Sequence, residues 1–77
     1  MIEFNRMAAG ETIRRLRKER ELSQEVFSGL VGIARSHLAM IEKGSKQPNF
    51  ETIWRIANAF DIPPSELVAQ IENFARS

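Results

Sequence analysis

Apolar residues recur along this chain at intervals of three and four, and no sustained run alternates apolar with polar. That spacing predicts helices throughout and gives no sign of a sheet or a tight hairpin. Asn5 is a candidate N-cap for a first helix over about 6–20, with Ile13 and Leu16 one turn apart and Leu22 following on the way out. Arg14, Arg15, Lys18 and Arg20 decorate its remaining surface. Ser23 is placed to cap a second helix over 24–31, striped by Phe27, Leu30 and Val31. Gly32 stops it, because only glycine takes a positive φ without steric cost. A third helix over 35–43 ends the same way at Gly44, and a polar loop follows. Asn49 then caps a fourth helix over 50–60, with Ile53, Trp54, Ile56, Ala57 and Phe60 facing in. Trp54 is read as core or interface packing, the usual work of a large aromatic at helical spacing. After the break at Ile62-Pro63-Pro64, Pro64 suits the first turn of a fifth helix over 65–74. Leu67, Val68, Ile71 and Phe74 share one side of it. The predicted fold is therefore all-α, a compact five-helix domain spanning 1–77.

Composition narrows the function classes. At 77 residues the chain holds one modest core, and burial of roughly 60% of the unfolded surface leaves stability marginal. Cysteine is absent and histidine occurs once, so disulfides, thiolate metal sites and any convincing metal set are excluded. No apolar run approaches the ~20 residues of a membrane span. MIEFNRMAAG lacks the basic-then-apolar order of a secretory signal. The expectation is a cytoplasmic protein without cofactor. The net charge of +1 hides an asymmetry: residues 1–46 carry nine Lys/Arg against six Asp/Glu, and residues 47–77 carry two against four. A basic front half suits one face turned toward a polyanion, although ordinary solvated charge gives the same count.

Residues 24–43, QEVFSGLVGIARSHLAMIEK, carry the functional signal. A helix that enters the DNA major groove, about 12 Å wide, needs a steep joint behind it, a locked inner face and an outer face free of bulky apolar groups. Gly32 supplies the joint. Phe27, Val31, Ile33, Leu38 and Ile41 fall at the inward offsets, and Ser28 is small where the helices approach. Arg35, Ser36, Ala39, Met40 and Lys43 fall on the opposite side.

Taken with Ile13-x-x-Leu16-Arg17, Leu22-Ser23-Gln24-Glu25, Leu38-x-x-Ile41-Glu42-Lys43-Gly44, Pro48, Glu51-Thr52-Ile53, Ala57 and Ser65-Glu66-Leu67, the stretch from about Ile13 to Leu67 resembles the lambda-repressor/Cro-type helix-turn-helix family of transcriptional regulators. The resemblance implies that Arg35, Ser36 and Met40 reach base edges, with His37 a neighbour that is either a contact or a bystander. A planar guanidinium such as Arg35 pairs bidentately with guanine O6 and N7, worth about 1–3 kcal/mol of discrimination. Met40 offers only apolar contact, to a thymine methyl or to a partner protein. Gln24 matches the residue that grips a phosphate and braces the recognition helix. Lys43, Ser45, Lys46 and Asn49 border the loop that follows the phosphate backbone, unless Lys46 serves loop solubility alone. Arg17 and Glu42 match a structural ion pair between the first and third helices. Ala34 departs from the usual Ser or Thr cap. Glu21 and Asp61 stand where glycine often follows a helix, which implies left-handed strain there or a different ending.

The family's habit of dimerising implies a homodimer with recognition helices about 34 Å apart on a near-palindromic double-stranded DNA. Leu67, Ile71 and Phe74 are the expected interface. Ile2, Phe4 and Met7 either cover that surface or join it. Small size without an effector domain resembles restriction–modification controller proteins and small phage or plasmid repressors. The expected function is a sequence-specific transcriptional regulator, a repressor or autoregulator that occludes a promoter or recruits at it. The alternative is an antitoxin that binds a toxin and uses DNA binding for autoregulation. A protein partner, toxin or RNA polymerase, stays open. An enzyme is not expected, because no nucleophile–base set or carboxylate pair is present.

Overall fold

The computed structural model describes residues 3–77. Among them are five helices and no strand: α1 (Ala8–Glu19), α2 (Gln24–Val31), α3 (Arg35–Lys43), α4 (Phe50–Ala59) and α5 (Pro64–Arg76). α2 and α3 have the bounds expected from sequence. α1 begins two residues late. Asn5 caps a preceding turn instead, its Oδ1 accepting from the Met7 N–H at 2.8 Å and its carbonyl from the Ala8 N–H at 3.1 Å. α5 is longer than expected, starting on Pro64 at its first position and continuing to Arg76. The missing N–H of Pro64 would have gone unpaired there in any case.

One device ends four of the helices. Glu21, Gly32, Gly44 and Asp61 take left-handed backbone, with φ of 56°, 87°, 80° and 60°. The next N–H in each case folds back onto a carbonyl five residues earlier: Leu22 to Arg17 at 3.2 Å, Ile33 to Ser28 at 3.1 Å, Ser45 to Met40 at 3.1 Å and Ile62 to Ala57 at 3.0 Å. Carbonyls at the helix ends that would otherwise lack partners are thereby satisfied. Leu22, Ile33 and Ile62 also pack against the core, so at those ends chain reversal and apolar burial are one event. Gly32 and Gly44 take the conformation freely. At Glu21 and Asp61 a Cβ in that region costs about 1–2 kcal/mol each.

The core contains Ile13 and Leu16 from α1, Phe27 and Val31 from α2, Leu38 and Ile41 from α3, Ile53, Ile56 and Ala57 from α4, Phe60, and Leu67 from α5. Phe27 and Phe60 stack at its centre, their rings 4.4 Å apart. The Arg20 guanidinium lies 4.6 Å from the centroid of Phe60 and closes that end of the stack. α1 packs on α3 and α5, and α2 packs on α3 and α4. The α1–α3 approach is close because Gly10 has no side chain: a Cβ there would overlap the Ile41 carbonyl oxygen. The Thr12 hydroxyl, buried in α1, has no hydrogen-bond partner among the described residues.

Two inward assignments and one outward one are corrected by the packing. Trp54 is 49% exposed, because Ile53, Ile56, Ala57 and Phe60 define the buried seam of α4 and Trp54 sits about 100° round from Ile53. Leu30 is 60% exposed for the same reason relative to Phe27 and Val31. Leu67, expected at a dimer interface, is fully buried within its own chain and presents nothing to a second copy. Ile71 is partly buried against the same core, and Phe74 is exposed. Phe4 and Met7 are exposed, while Ile2 lies outside the described residues.

Gly10→Ala tests the seam. The added methyl has only backbone to push against, so the substitution should destabilise by about 2–3 kcal/mol in urea unfolding, despite alanine's better helix propensity.

Candidate nucleic-acid interface

The outward helix is built in stages from local chemistry. Ser23 takes extended backbone and its Oγ accepts from the Val26 N–H at 3.1 Å, which starts α2. Ser28 is buried where α2 meets α3, and its hydroxyl donates to the Glu25 carbonyl at 3.0 Å. Gly32 then turns the chain. α3 starts at Arg35 without a side-chain cap, since Ala34 offers only its carbonyl to the Leu38 N–H at 3.1 Å. Leu38 and Ile41 lock the inner face of α3. Arg35, Ser36, Met40 and Lys43 are exposed, and His37 and Ala39 are half-buried.

Behind this helix lies the most constrained polar contact in the molecule. Arg17 donates from Nε to Glu42 Oε2 at 2.8 Å and from Nη2 to Oε1 at 2.9 Å. Its Nη1 donates to the Leu22 carbonyl at 2.7 Å. Gln24 Nε2 donates to Glu42 Oε1 at 3.1 Å. Arg17 and Glu42 are both buried. The hydrogen bonds to Glu42 raise the Arg17 pKa above its ordinary value, outweighing the opposite pull of desolvation, and the carboxylate's charge adds to the rise. The guanidinium is therefore a fixed cation, and the Gln24 amide is tied to α3.

The loop after α3 divides its residues between capping and exposure. Ser45 donates its hydroxyl to the Met40 carbonyl at 3.1 Å, so that proton is committed to the helix end and is not free for a phosphate. Asn49 Oδ1 caps α4 by accepting from the Thr52 N–H at 2.8 Å, which leaves its amide NH2 as the available donor. Lys43 and Lys46 are exposed, with no ion-pair partner among the described residues. Gln47 Nε2 donates to the Arg6 carbonyl at 2.8 Å and ties the N-terminal segment to this loop.

The structure adds two surfaces to the residues expected from sequence. An open groove of about 530 Å3 runs between α1 and α3, and Arg14 and Glu11 line it together with Arg35 and Lys43. On the far side, Phe50, Trp54 and Val68 are exposed around an apolar cleft of about 450 Å3 that Pro64 and Ser65 complete. Phe50 and Trp54 meet edge-on with ring centroids 5.9 Å apart. These three stand one helical turn apart on α4 or just beyond the buried residue of α5, a signal that is visible only once the inward seam is known.

A two-helix brace that holds one uncluttered helix away from a small core defines a helix-turn-helix protein. The chain belongs to the helix-turn-helix family, whose profile matches residues 13–67. It is 37% identical over 60 residues to the cryptic phage CTXphi transcriptional repressor RstR of Vibrio cholerae, covering 78% of this chain and 54% of that one. The chain spans about half the length of the curated relatives RstR and the phi105 immunity repressor. Among solved structures it is similar to the restriction–modification controller protein C.AhdI of Aeromonas hydrophila, at 35% identity and a TM-score of 0.76, covering 80% of this chain and 94% of that chain. It is also similar to the DNA-binding domain of the P22 C2 repressor, at 26% identity and a TM-score of 0.75, covering 84% and 86%. By name these relatives are repressors and a restriction–modification controller.

Breaking the buried pair from one side should be costly. Arg17→Met alone leaves Glu42 unpaired and should destabilise by about 3–5 kcal/mol in urea unfolding. Arg17→Met combined with Glu42→Leu should recover most of that loss. Equal losses in the single and double variants would show that packing, rather than an uncompensated charge, governs the site.

Proposed function

We propose that this protein is a sequence-specific transcriptional regulator, a repressor or autoregulator, that binds a near-palindromic operator as a homodimer and performs no chemistry. The observation that carries the reading is the outer face of α3: Arg35, Ser36 and Met40 exposed in a row, with Lys43 beside them and the inner face locked behind. In this reading Arg35, Ser36 and Met40 touch base edges, and His37 borders them. Lys43, Lys46, the Gln24 backbone at the start of α2 and the Asn49 amide hold phosphates. Ser45 orders the end of α3 instead.

The second copy is proposed to sit on α4 and α5. Phe50, Trp54, Val68 and Phe74 are exposed there, and Ile71 is partly covered. Apolar surface of this kind on so small a chain favours a partner, and a two-fold axis would make the patch self-complementary. A cytoplasmic location follows from the role. No helix among the described residues is long and apolar enough to cross a membrane. The antitoxin reading gains no support over DNA regulation from the relatives' names.

Selection of bound duplexes from a random pool tests the reading directly. It should return two related half-sites in inverted orientation, their centres about one helical turn apart. Failure to enrich any sequence would reject the proposal. Arg35→Ala should relax preference at one base position in each half-site, while Lys46→Ala should weaken binding to all sequences alike and lower the salt slope by about one.

Sedimentation tests the interface. The protein should run as a dimer at micromolar concentration, and Val68→Glu should shift it to monomer with the helical content unchanged. A monomer at high micromolar concentration, with DNA and without, would remove the dimer.

A further inference from the structure

We infer that Arg14 on α1 is a phosphate contact, so that the groove between α1 and α3 holds a stretch of DNA backbone beside the bases read by α3. This rests on the DNA-binding reading and extends it to a helix that lies outside the helix-turn-helix.

Five of the eight arginine side chains have a partner among the described residues, and those of Arg6, Arg14 and Arg35 have none. Arg15 is held by Glu19 at 3.0 Å and by Gln70 at 2.9 Å. Arg17 is buried against Glu42. Arg20 lies over Phe60 and donates to the Leu16 carbonyl at 3.2 Å. Arg55 pairs with Glu51 and Arg76 with Glu72. Arg14 is exposed and has no hydrogen-bond or ion-pair partner among the described residues, and it lines the same groove as Arg35 and Lys43. Arg14, Arg35 and Lys43 outnumber Glu11, the one unpaired carboxylate that shares the groove, so a phosphate strand there meets a net positive surface. A hydrated guanidinium exchanges water for phosphate oxygen with two parallel N–H donors, and the exchange breaks no internal contact here.

Glu11 acts against the same contact. It stands one turn before Arg14 on α1 and lines the same groove, also without an ion-pair partner among the described residues. A carboxylate beside a phosphate strand weakens binding to every sequence alike. Arg14 and Glu11 thus set the strength of attachment between them, independently of base identity.

The test uses the full chain and the selected duplex in salt titrations. Arg14→Ala should lower affinity roughly three- to tenfold at 0.15 M salt, reduce the salt slope by about one and leave the selected sequence unchanged. Glu11→Gln should raise affinity roughly two- to fivefold for specific and unrelated duplexes alike. Arg15→Ala, whose guanidinium is tied elsewhere, should match the wild type. Circular dichroism melts identical to wild type establish that contacts rather than folding have changed. Wild-type affinity in Arg14→Ala, with Lys46→Ala weakened, overturns this inference and leaves the regulator reading standing. A changed base preference in Arg14→Ala overturns the phosphate assignment. Absence of DNA binding by the wild type overturns both. Titration of the free protein with inorganic phosphate separates a small-anion site from a DNA contact: no saturable binding is expected, and saturation at low millimolar phosphate would overturn the assignment.

Discussion

Two opposite charges buried against each other fix the geometry from which the interface follows. Arg17 reaches from α1 to Glu42 on α3 with two short bonds, and its third contact is a backbone carbonyl in the turn before α2. Gln24 at the start of α2 joins the same carboxylate. Three helices therefore meet at a single carboxylate whose acceptor sites point in set directions, and Arg17 ties the turn before α2 to them. A hydrophobic contact of equal area tolerates sliding and rotation; a forked pair does not. Burial of the two ions is expensive, which makes the pair a poor source of stability but a strict selector of arrangement. The depth and pitch at which α3 presents Arg35, Ser36 and Met40 are inherited from it.

Against that rigid side, the remaining surface is defined by what the core leaves over. The small core takes one seam from each helix, and every helix consequently has apolar or charged residues for which no internal partner exists. On α1 and α3 these residues include the cations Arg14, Arg35 and Lys43. On α4 and α5 they are aromatic and aliphatic. The molecule thus has two unlike faces, one suited to a polyanion and one to an apolar partner, divided by the core that orders both. The acidic excess in residues 47–77 accords with this division, since Asp61, Glu66 and Glu72 fall on the α4–α5 side of the chain.

The parts legible in the sequence were those governed by local rules. α2 and α3 could be bounded to the residue because each has a short apolar stripe and a glycine in the left-handed conformation immediately after it. The left-handed backbone at Glu21 and Asp61 was foreshadowed by a family pattern that their side chains violate. What escaped were decisions made by three-dimensional competition. Trp54 and Leu30 sit on the shoulders of apolar stripes, and only the direction of the neighbouring helix determines which shoulder is covered. Leu67 reads as spare surface on α5 until α4 is seen to lie over it. Asn5 has the chemistry of a helix cap but closes a turn two residues too early. The importance of Gly10 is invisible in helical periodicity, because the missing side chain serves α3 rather than α1. The cations on α1 look alike in sequence; partners on α5 and beyond the end of the helix distinguish Arg15 and Arg20 from Arg14.

The outward position of Trp54 has a consequence for what light can report about this molecule. The chain has one tryptophan and no tyrosine, so its near-ultraviolet emission comes almost wholly from that indole. The indole is not in the core; it leans edge-on to Phe50, about half in water. Its colour and quenching therefore follow whatever settles on the α4–α5 face, and they respond only weakly to the packing of Phe27 against Phe60. The protein carries an intrinsic optical probe of assembly rather than of folding.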